Sequence, residues 1–268
     1  MSLYTTAPAA RRAGPWFSVA AGPADAPLVL VLPFAGGGRS FYPAWEPYFA
    51  PWGRLCFVNL PGRDLRFREE AHSDLAELLP PLTDACADLV SEQPYLVFGH
   101  SMGALLGYEL SCAMRDRGLP QPLHLVVSGL CSPDTPLPGK ALADVDDADM
   151  LAELVQIMGL SPGEHSGPLG QLISAMLPTA RADFTLCERY RWRGQPPLDH
   201  GITALWSSDD PLTTPAGVAA WERHTTGGFR SHRFGGPHFF IREHGAEVAS
   251  ILSSRLLDVP RKERNSDC

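Results

Sequence analysis

Short apolar runs alternate along this chain with longer segments whose apolar residues recur at helical spacing. The candidate strands cover residues 28–33, 54–60, 95–98, 123–129, 202–206 and 229–234. Most of them are continuous apolar runs, which are typical of strands buried on both faces of a sheet. Because helical segments connect them, the pattern predicts an α/β fold with a mostly parallel central sheet flanked by helices.

The segment between residues 131 and 198 departs from this alternation. It contains no strand-like run, whereas residues 145–155 begin with acidic residues and continue with apolar residues at helical spacing. A stretch rich in Gly, Pro and Ser at 159–170 separates them from further helical sequence at 169–190. We expect a helical insertion between two core strands, where a lid would lie, and an ordinary connecting domain is the alternative.

These patterns predict the organisation of the chain. The expected parts are a flexible N-terminus at 1–15, an α/β core at 16–130 and 199–260, a helical lid at 131–198 and a disordered tail at 261–268. Within the core, Ser73-Asp74 predicts the start of a helix that reaches Leu89. Pro80-Pro81 lies inside this helix and predicts a kink or a split.

The first candidate for chemistry is the segment Gly99-His100-Ser101-Met102-Gly103, which joins a candidate strand to a candidate helix. A Gly-x-Ser-x-Gly pattern between a strand and a helix is typical of a nucleophile elbow, so we predict that Ser101 is the nucleophile. Gly99 and Gly103 remove side chains that would collide with the following helix. The N–H of Met102 would face an oxyanion on the attacked carbonyl. A glycine-rich connection without chemistry is the alternative.

A second glycine-rich segment, Phe34-Ala35-Gly36-Gly37-Gly38, follows the first candidate strand. Its glycines let the backbone approach a ligand closely and leave N–H groups free to point outward. In α/β-hydrolases the second oxyanion donor comes from this loop, and we predict that it is the N–H of Ala35. A phosphate-binding loop is excluded because the Lys and Ser/Thr of a Walker motif do not follow.

The acid and the base of the site are expected after late strands. Asp209 and Asp210 follow the candidate strand at 202–206. Because Pro211 biases the backbone of Asp210 to an extended turn, we predict Asp210 as the acid, with Asp209 as the alternative. His238 comes after the acid, in a glycine-rich loop, and is the predicted general base. A loop histidine that caps the last helix is the alternative.

Composition narrows the class of protein. The 268 residues are 44% hydrophobic and carry a net charge of −8, which suits a large buried core and argues against a nucleic-acid binder. The six cysteines form no C-x-x-C pairs, and no apolar run is long enough to span a membrane. We expect a cytoplasmic enzyme that binds neither nucleic acid nor membranes. No metal or organic cofactor is expected, because neither H-E-x-x-H nor a dinucleotide-binding G-x-G-x-x-G after a strand is present.

Several segments taken together resemble one known family, the type II thioesterases of polyketide and nonribosomal peptide biosynthesis. The resemblance rests on Gly99-His100-Ser101-Met102-Gly103, Pro33-Phe34-Ala35-Gly36-Gly37, Leu60-Pro61-Gly62-Arg63 with Arg66, Leu177-Pro178 with Arg181-Ala182-Asp183-Phe184, and Gly235-Gly236-Pro237-His238-Phe239-Phe240. It covers most of the chain, from about residue 28 to residue 250.

The resemblance implies an α/β-hydrolase fold with a helical lid and a stand-alone enzyme. Such an enzyme removes stalled or aberrant acyl groups from the phosphopantetheine arm of acyl or peptidyl carrier proteins. It implies Ser101 as nucleophile, Asp210 as acid and His238 as base. Two departures leave the pocket shape and the acid open, because relatives often have a histidine where Phe34 stands and a glycine where Ser207 stands.

Two other functions stay open. The first is a carboxylesterase or lipase that hydrolyses small oxyesters with the same residues, because a fold and a triad do not define the substrate. The second is a catalytically silent scaffold partner of a synthase.

The partner implied by the resemblance is an acidic carrier protein. Arg189, Arg191 and Arg193 crowd the end of the expected lid and are candidates for carrier docking. A second group of arginines, Arg63, Arg66 and Arg68, follows an early strand. A solvated face, or pairing with nearby carboxylates, is the alternative for both groups.

Overall fold

One sheet of seven strands runs through the part of the chain that the computed structural model describes, which is residues 14–23, 25–42, 44–91, 93–159 and 168–257. The strands are β1 (Phe17–Val19), β2 (Leu28–Leu32), β3 (Arg54–Val58), β4 (Tyr95–His100), β5 (His124–Ser128), β6 (Gly201–Ser207) and β7 (Phe229–Phe234). Their order is β1-β3-β2-β4-β5-β6-β7. β1 pairs antiparallel with β3, and the other neighbours pair parallel. The predicted α/β class with a mostly parallel sheet is confirmed.

Helices cover both faces of this sheet. They are α1 (Glu46–Phe49), α2 (Leu75–Val90), α3 (Met102–Asp116), α4 (Asp147–Ile157), α5 (Pro168–Arg189), α6 (Pro215–Ala219) and α7 (Gly245–Leu257). The alternation along β2 shows how the layers form. Leu30 packs in an apolar cluster with α2 and α3, whereas Val31 packs in a separate cluster with α1 and α7. Each face of the strand is therefore buried by a different pair of helices, which explains the continuous apolar run.

A third apolar cluster lies beyond the carboxyl ends of the strands. Its buried members are Phe34, Leu142, Met150, Ile157, Leu177 and Phe239. They come from the loop after β2, from the loop before α4, from α4 and α5 themselves, and from the loop after β7. The two helices of the 131–198 insertion therefore cover the edge of the sheet at which the candidate residues lie.

Two local features differ from the sequence-based expectations. The strand β1 was not predicted, because three residues at a sheet edge are too short to show a pattern. The helix α2 continues from Leu75 to Val90, so the split at Pro80-Pro81 does not occur, and the kink given as the other outcome stays a prediction. Its apolar face, which includes Leu82 and Cys86, is buried against the core, and this packing outweighs the lost backbone hydrogen bonds.

The other boundary predictions stand as follows. The insertion contains α4 and α5, and α5 is one helix that continues through Pro178. Most of the expected flexible start, the whole tail at 261–268 and residues 160–167 of the glycine-rich break lie outside the described residues. No helix within the described ranges is long and apolar enough to cross a membrane. Whether the insertion acts as a lid stays a prediction.

Candidate active site

Ser101 occupies the turn between β4 and α3 in a backbone conformation that L-amino acids rarely adopt. Its φ is 55° and its ψ is −122°. Its N–H donates to the carbonyl oxygen of Ser128 at 2.7 Å, so the chain remains bonded to the end of β5 up to this residue. Strain of this kind costs on the order of 1–3 kcal/mol and persists only where the surrounding structure holds it. The turn presents Ser101 to two cavities at the carboxyl edge of the sheet.

Two glycines allow α3 to pass close behind this turn. A Cβ atom on Gly99 would lie 2.0 Å from the carbonyl oxygen of Gly103, and one on Gly103 would lie 2.3 Å from the carbonyl oxygen of Leu32. These neighbours are backbone atoms, which cannot rotate away as a side chain could. The structural reason predicted for the two glycines is therefore confirmed.

Asp210 and His238 are brought together by the loops that follow β6 and β7. The Nδ1 atom of His238 lies 2.9 Å from Oδ2 of Asp210, and both side chains are buried. The other carboxylate oxygen of Asp210 accepts the N–H of Leu212 at 2.9 Å. These two bonds orient the carboxylate toward the imidazole, and His238 lines the same narrow cavity as Ser101.

Asp209, the alternative acid, contacts the histidine loop but bonds to its backbone. Its Oδ2 accepts the N–H of Gly236 at 3.1 Å, and its side chain is exposed. Ser207 completes this connection, since its Oγ donates to the carbonyl oxygen of Gly236 and accepts the N–H of Asp209 at 3.1 Å. Ser207 therefore ties the end of β6 to the loop that carries His238. In the sequence, this serine stands out only as a departure from relatives.

Ala35 lies in a tight turn between Phe34 and Gly37. The N–H of Gly37 donates to the carbonyl oxygen of Phe34 at 2.8 Å, and Gly36 has a φ of +74°. A positive φ at the third position, together with this bond, is the pattern of a type II turn, in which the N–H of the second residue points away from the turn. Ala35, Ser101 and Met102, the first residue of α3, line the same large cavity.

The turn also makes a contact that sequence analysis missed. The N–H of Gly36 donates to Oδ2 of Asp183, on α5, at 2.7 Å. In the sequence, Asp183 stands out only as part of the family resemblance, and its partner Arg63 only there and in the second group of arginines. Since 147 positions separate Gly36 from Asp183, no local pattern could have paired them.

His100 lies beneath the imidazole of His238 and is fully buried. Its Nδ1 lies 3.0 Å from the Oγ of Ser128, and its ring centroid is 4.7 Å from that of His238. Its Nε2 is buried without a hydrogen-bond partner among the described residues. Burial, and to a smaller extent the nearby His238, lowers the pKa of His100 well below its usual 6.5. A neutral ring therefore packs against His238.

Two cavities meet at Ser101. A narrow apolar one of about 30 Å³ extends toward α4 and α5, and its walls include Phe34, Met158 and Met176. A wide cleft of about 840 Å³ is formed largely by residues 129–142 and by the end of α5 with the residues that follow it. The two methionines that line the narrow cavity have flexible side chains, which suits a pocket that must adapt to its contents.

The arginines predicted for docking occupy different environments. Arg189 and Arg191 are exposed, and Arg191 lines the wide cleft. Arg193 is also exposed, but its Nη2 lies 3.1 Å from Oε2 of Glu109, a fully buried carboxylate. Arg193 therefore compensates a buried charge, which the docking prediction did not anticipate.

In the second group of arginines, two of the three members pair with carboxylates, as in the alternative interpretation of the sequence. Arg63 is buried and paired with Asp183. Arg66 pairs with Glu69 and lies 4.0 Å from the ring centre of Trp16. Arg68 is exposed and lies over the ring of Phe67. Arg63 is therefore not available for docking, because its guanidinium is enclosed by the loop after β2 and by α5.

The donor set of the site is that of a serine, an imidazole and a carboxylate. Within the described residues, no group of three or more His, Cys, Asp or Glu side chains is arranged to hold a metal ion. Both oxygens of the Asp210 carboxylate already accept hydrogen bonds, from His238 and from the backbone.

The sequence pattern of the family described as Thioesterase domain matches residues 27–256. Linear gramicidin dehydrogenase LgrE of Brevibacillus parabrevis is 34% identical over 231 residues, which cover 85% of this chain and 87% of that protein. Its name describes a dehydrogenase. In this chain, however, the glycines after β2 are three in a row and lack the G-x-G-x-x-G spacing of a dinucleotide-binding loop.

Two solved structures superimpose on most of the chain. The type II thioesterase BorB from the borrelidin biosynthetic cluster has a TM-score of 0.83 at 32% identity and covers 91% of this chain and 98% of its own. RedJ-thioesterase, from the prodiginine biosynthetic pathway in Streptomyces coelicolor, has a TM-score of 0.77 at 34% identity. That match covers 94% of this chain and 98% of RedJ.

The buried, neutral His100 predicts a particular dependence of stability on pH. The unfolded chain binds a proton at this residue below about pH 6.5, whereas the folded protein does not, so folding becomes less favourable as the pH falls. Between pH 7 and pH 5.5 this effect is about 1 kcal/mol. Between these two pH values, the free energy of unfolding of His100→Gln should fall by about 1 kcal/mol less than that of the wild type. Urea titration at both pH values measures this difference. Equal losses in the two proteins would contradict the prediction.

Proposed function

Because the chain belongs to the thioesterase domain family and is a thioester hydrolase with the α/β-hydrolase fold, we propose that it releases acyl groups from the phosphopantetheine arm of acyl or peptidyl carrier proteins. The observation that carries the proposed chemistry is the buried Asp210–His238 pair, whose histidine lines the same narrow cavity as the strained Ser101. It supports an acyl-enzyme mechanism in which Ser101 is the nucleophile.

In this mechanism His238 takes the proton of Ser101 while the serine oxygen attacks the thioester carbonyl. The bond from Nδ1 to Asp210 holds the ring and stabilises the imidazolium, and it leaves the other ring nitrogen for the serine. The N–H groups of Ala35 and Met102 would hold the oxyanion. The arm leaves as a thiol, which receives the proton from His238. Water then attacks the acyl-serine, with His238 again as base.

The two cavities suggest how the substrate is oriented. The narrow apolar cavity suits the acyl chain, and the wide cleft suits the long polar arm. A volume of about 30 Å³ holds only one or two water-sized groups, so short acyl chains fit without rearrangement. Longer chains require Met158 and Met176 to move.

We further propose that the enzyme edits synthases by removing stalled or aberrant acyl groups. Support comes from the relatives, since BorB is a type II thioesterase of the borrelidin biosynthetic cluster and aligns over nearly its whole length. The insertion at 131–198 would act as the lid of the pocket, because α4 and α5 contribute to the walls of the narrow cavity. Closure would exclude water from the acyl chain during transfer.

The direct experiment is mass spectrometry of carrier proteins that bear different acyl groups. Incubation with the enzyme should remove the acyl mass from the arm and release the free acid, whereas Ser101→Ala should leave the acyl carrier intact. A matched pair of small substrates, an acyl-thioester and the corresponding oxyester, forms the second arm. Preference for the oxyester would favour the carboxylesterase alternative. Hydrolysis of neither ester, with carrier binding retained, would favour the scaffold alternative.

The identity of the acid is tested by two neighbouring substitutions. Asp210→Asn removes the charge that bonds to the imidazole and should lower kcat by roughly 10³- to 10⁴-fold. Asp209→Asn should lower kcat by less than about tenfold, because its carboxylate accepts hydrogen bonds from the N–H of Gly236 and from Oγ of Ser208 rather than from the imidazole. Both are measured on a small thioester. A larger loss for Asp209→Asn would reverse the assignment.

For the carrier protein, the mouth of the wide cleft offers the best docking surface. Leu137 and Trp192 line the cleft and are 46% and 38% exposed. Arg191 lines it as well, and Arg189 lies at the end of α5. An apolar rim with nearby cations suits an acidic carrier, for which charge mainly speeds encounter and sets orientation.

We expect Arg189→Glu/Arg191→Glu to raise KM for an acyl-carrier protein several-fold and to leave KM for an acyl-N-acetylcysteamine unchanged. Arg193 is left out, because reversing it would place a second carboxylate beside the buried Glu109. A variant with the same charge change, Arg117→Glu/Arg233→Glu, is the control, since neither residue lines the cleft. Equal effects on both substrates, or equal effects of the two variants, would exclude docking at this surface.

A further inference from the structure

Two segments that sequence analysis could connect only through the family resemblance meet in the structure. Arg63, after β3, and Asp183, in α5, form a two-point ion pair with Nη1–Oδ2 and Nη2–Oδ1 distances of 2.7 and 2.8 Å. They lie 120 positions apart and are 7% and 2% exposed. A buried pair of this geometry is strongly directional.

The pair holds the turn that contains Ala35 from two sides. Oδ2 of Asp183 accepts the N–H of Gly36 at 2.7 Å, and Nη1 of Arg63 donates to the carbonyl oxygen of Gly37 at 3.3 Å. The same carboxylate oxygen therefore bonds to both the guanidinium and the turn. The peptide unit that carries the Gly36 N–H is the one directly after Ala35.

The packing around the turn leaves it little freedom. A Cβ atom on Gly36 would lie 3.0 Å from the Cβ of Ala180, one turn before Asp183 in α5. A further hydrogen bond, from Oγ1 of Thr179 to the carbonyl oxygen of Gly62, joins the same part of α5 to the loop that carries Arg63. The middle of α5 is thus attached to the core at the turn that contains Ala35.

We propose that Arg63 and Asp183 are positioning residues that hold the Ala35 N–H in the orientation needed to bind the oxyanion. The inference rests on the proposed function, because it takes Ala35 as an oxyanion donor. A buried ion pair is a poor source of stability, since apolar residues of similar volume often stabilise a fold equally well. A carboxylate at this point, however, supplies the acceptor that the Gly36 N–H requires, and the arginine fixes that carboxylate.

The proposal has a consequence for the lid. The helix α5 carries part of the machinery of the site and cannot move away without releasing the turn. Movement that admits the substrate would therefore involve α4. This helix contacts α5 through the ion pair between the half-buried Arg181 and the exposed Asp147 and through the apolar cluster that contains Met150 and Leu177, so its movement would open that cluster.

The experiment measures the rate at which a fluorophosphonate probe labels Ser101, followed by intact-mass spectrometry. This reaction needs the nucleophile and the oxyanion donors but no thioester and no carrier. The double variant Arg63→Met/Asp183→Leu removes both charges and the acceptor of the Gly36 N–H. Asp183→Asn removes the charge but keeps one oxygen as an acceptor. We expect labelling to slow roughly 10- to 100-fold in the double variant and less in Asp183→Asn.

A second readout separates positioning from damage to the fold. In the hydrolysis of a small thioester, kcat should fall more in the double variant than in Asp183→Asn. KM should change less than about twofold in both, because an oxyanion donor acts mainly in the transition state. Glu109→Gln is the matched control. It neutralises another fully buried carboxylate that pairs with an arginine, so it can cost stability but should leave labelling and kcat unchanged.

A folded double variant that labels at the wild-type rate would overturn the proposal. If the double variant does not fold, wild-type labelling of Asp183→Asn overturns it, and slowed labelling with an unaffected Glu109→Gln supports it. Failure of the proposed function is visible separately, as a wild-type protein that is labelled at Ser101 but hydrolyses no acyl-carrier protein.

Discussion

The close backbone packing of β2, β4 and α3 is the constraint on which the site depends. Ser101 keeps its strained conformation because α3 passes directly behind it, with Gly99 against Gly103 and Gly103 against Leu32. No side chain larger than hydrogen fits at either glycine. The same packing brings the end of β2 beside the elbow, so the turn at Ala35 starts next to the serine. A larger side chain at Gly99 or Gly103 would push Ser101 and the turn at Ala35 apart.

Parallel strands collect the remaining groups at one edge of the sheet. The loops after β2, β4, β6 and β7 all leave from this edge and bring Ala35, Ser101, Asp210 and His238 to the same side. Buried carboxylates among the described residues have directional partners: Asp210 bonds to His238 and Asp183 to Arg63 at this edge, and Glu109 bonds to Arg193 in the middle of α3. Such pairs define geometry more than they add stability, which suits a site that needs fixed distances.

Patterns that depend on neighbouring residues were predicted well, and distant contacts were not. The strands and the elbow could be identified, because burial and tight turns leave local signals in the sequence. Pro80-Pro81 predicted a kink or a split of α2, and the split does not occur, since the burial of its apolar face keeps the helix continuous. Arg63 resembled a surface cation in sequence, because nothing near it indicates that Asp183 encloses it from a helix 120 positions away.

The sequence by itself determined the α/β class, the chain order of the candidate serine, acid and histidine, and the glycines around the elbow. These follow from hydrophobic periodicity and from backbone sterics, which act over a few residues. Only the tertiary structure decided which of two adjacent carboxylates bonds to His238, and that Asp183 supports the turn at Ala35. Asp209 and Asp210 are chemically identical, and the direction in which each side chain points is set by the packing of the loops after β6 and β7.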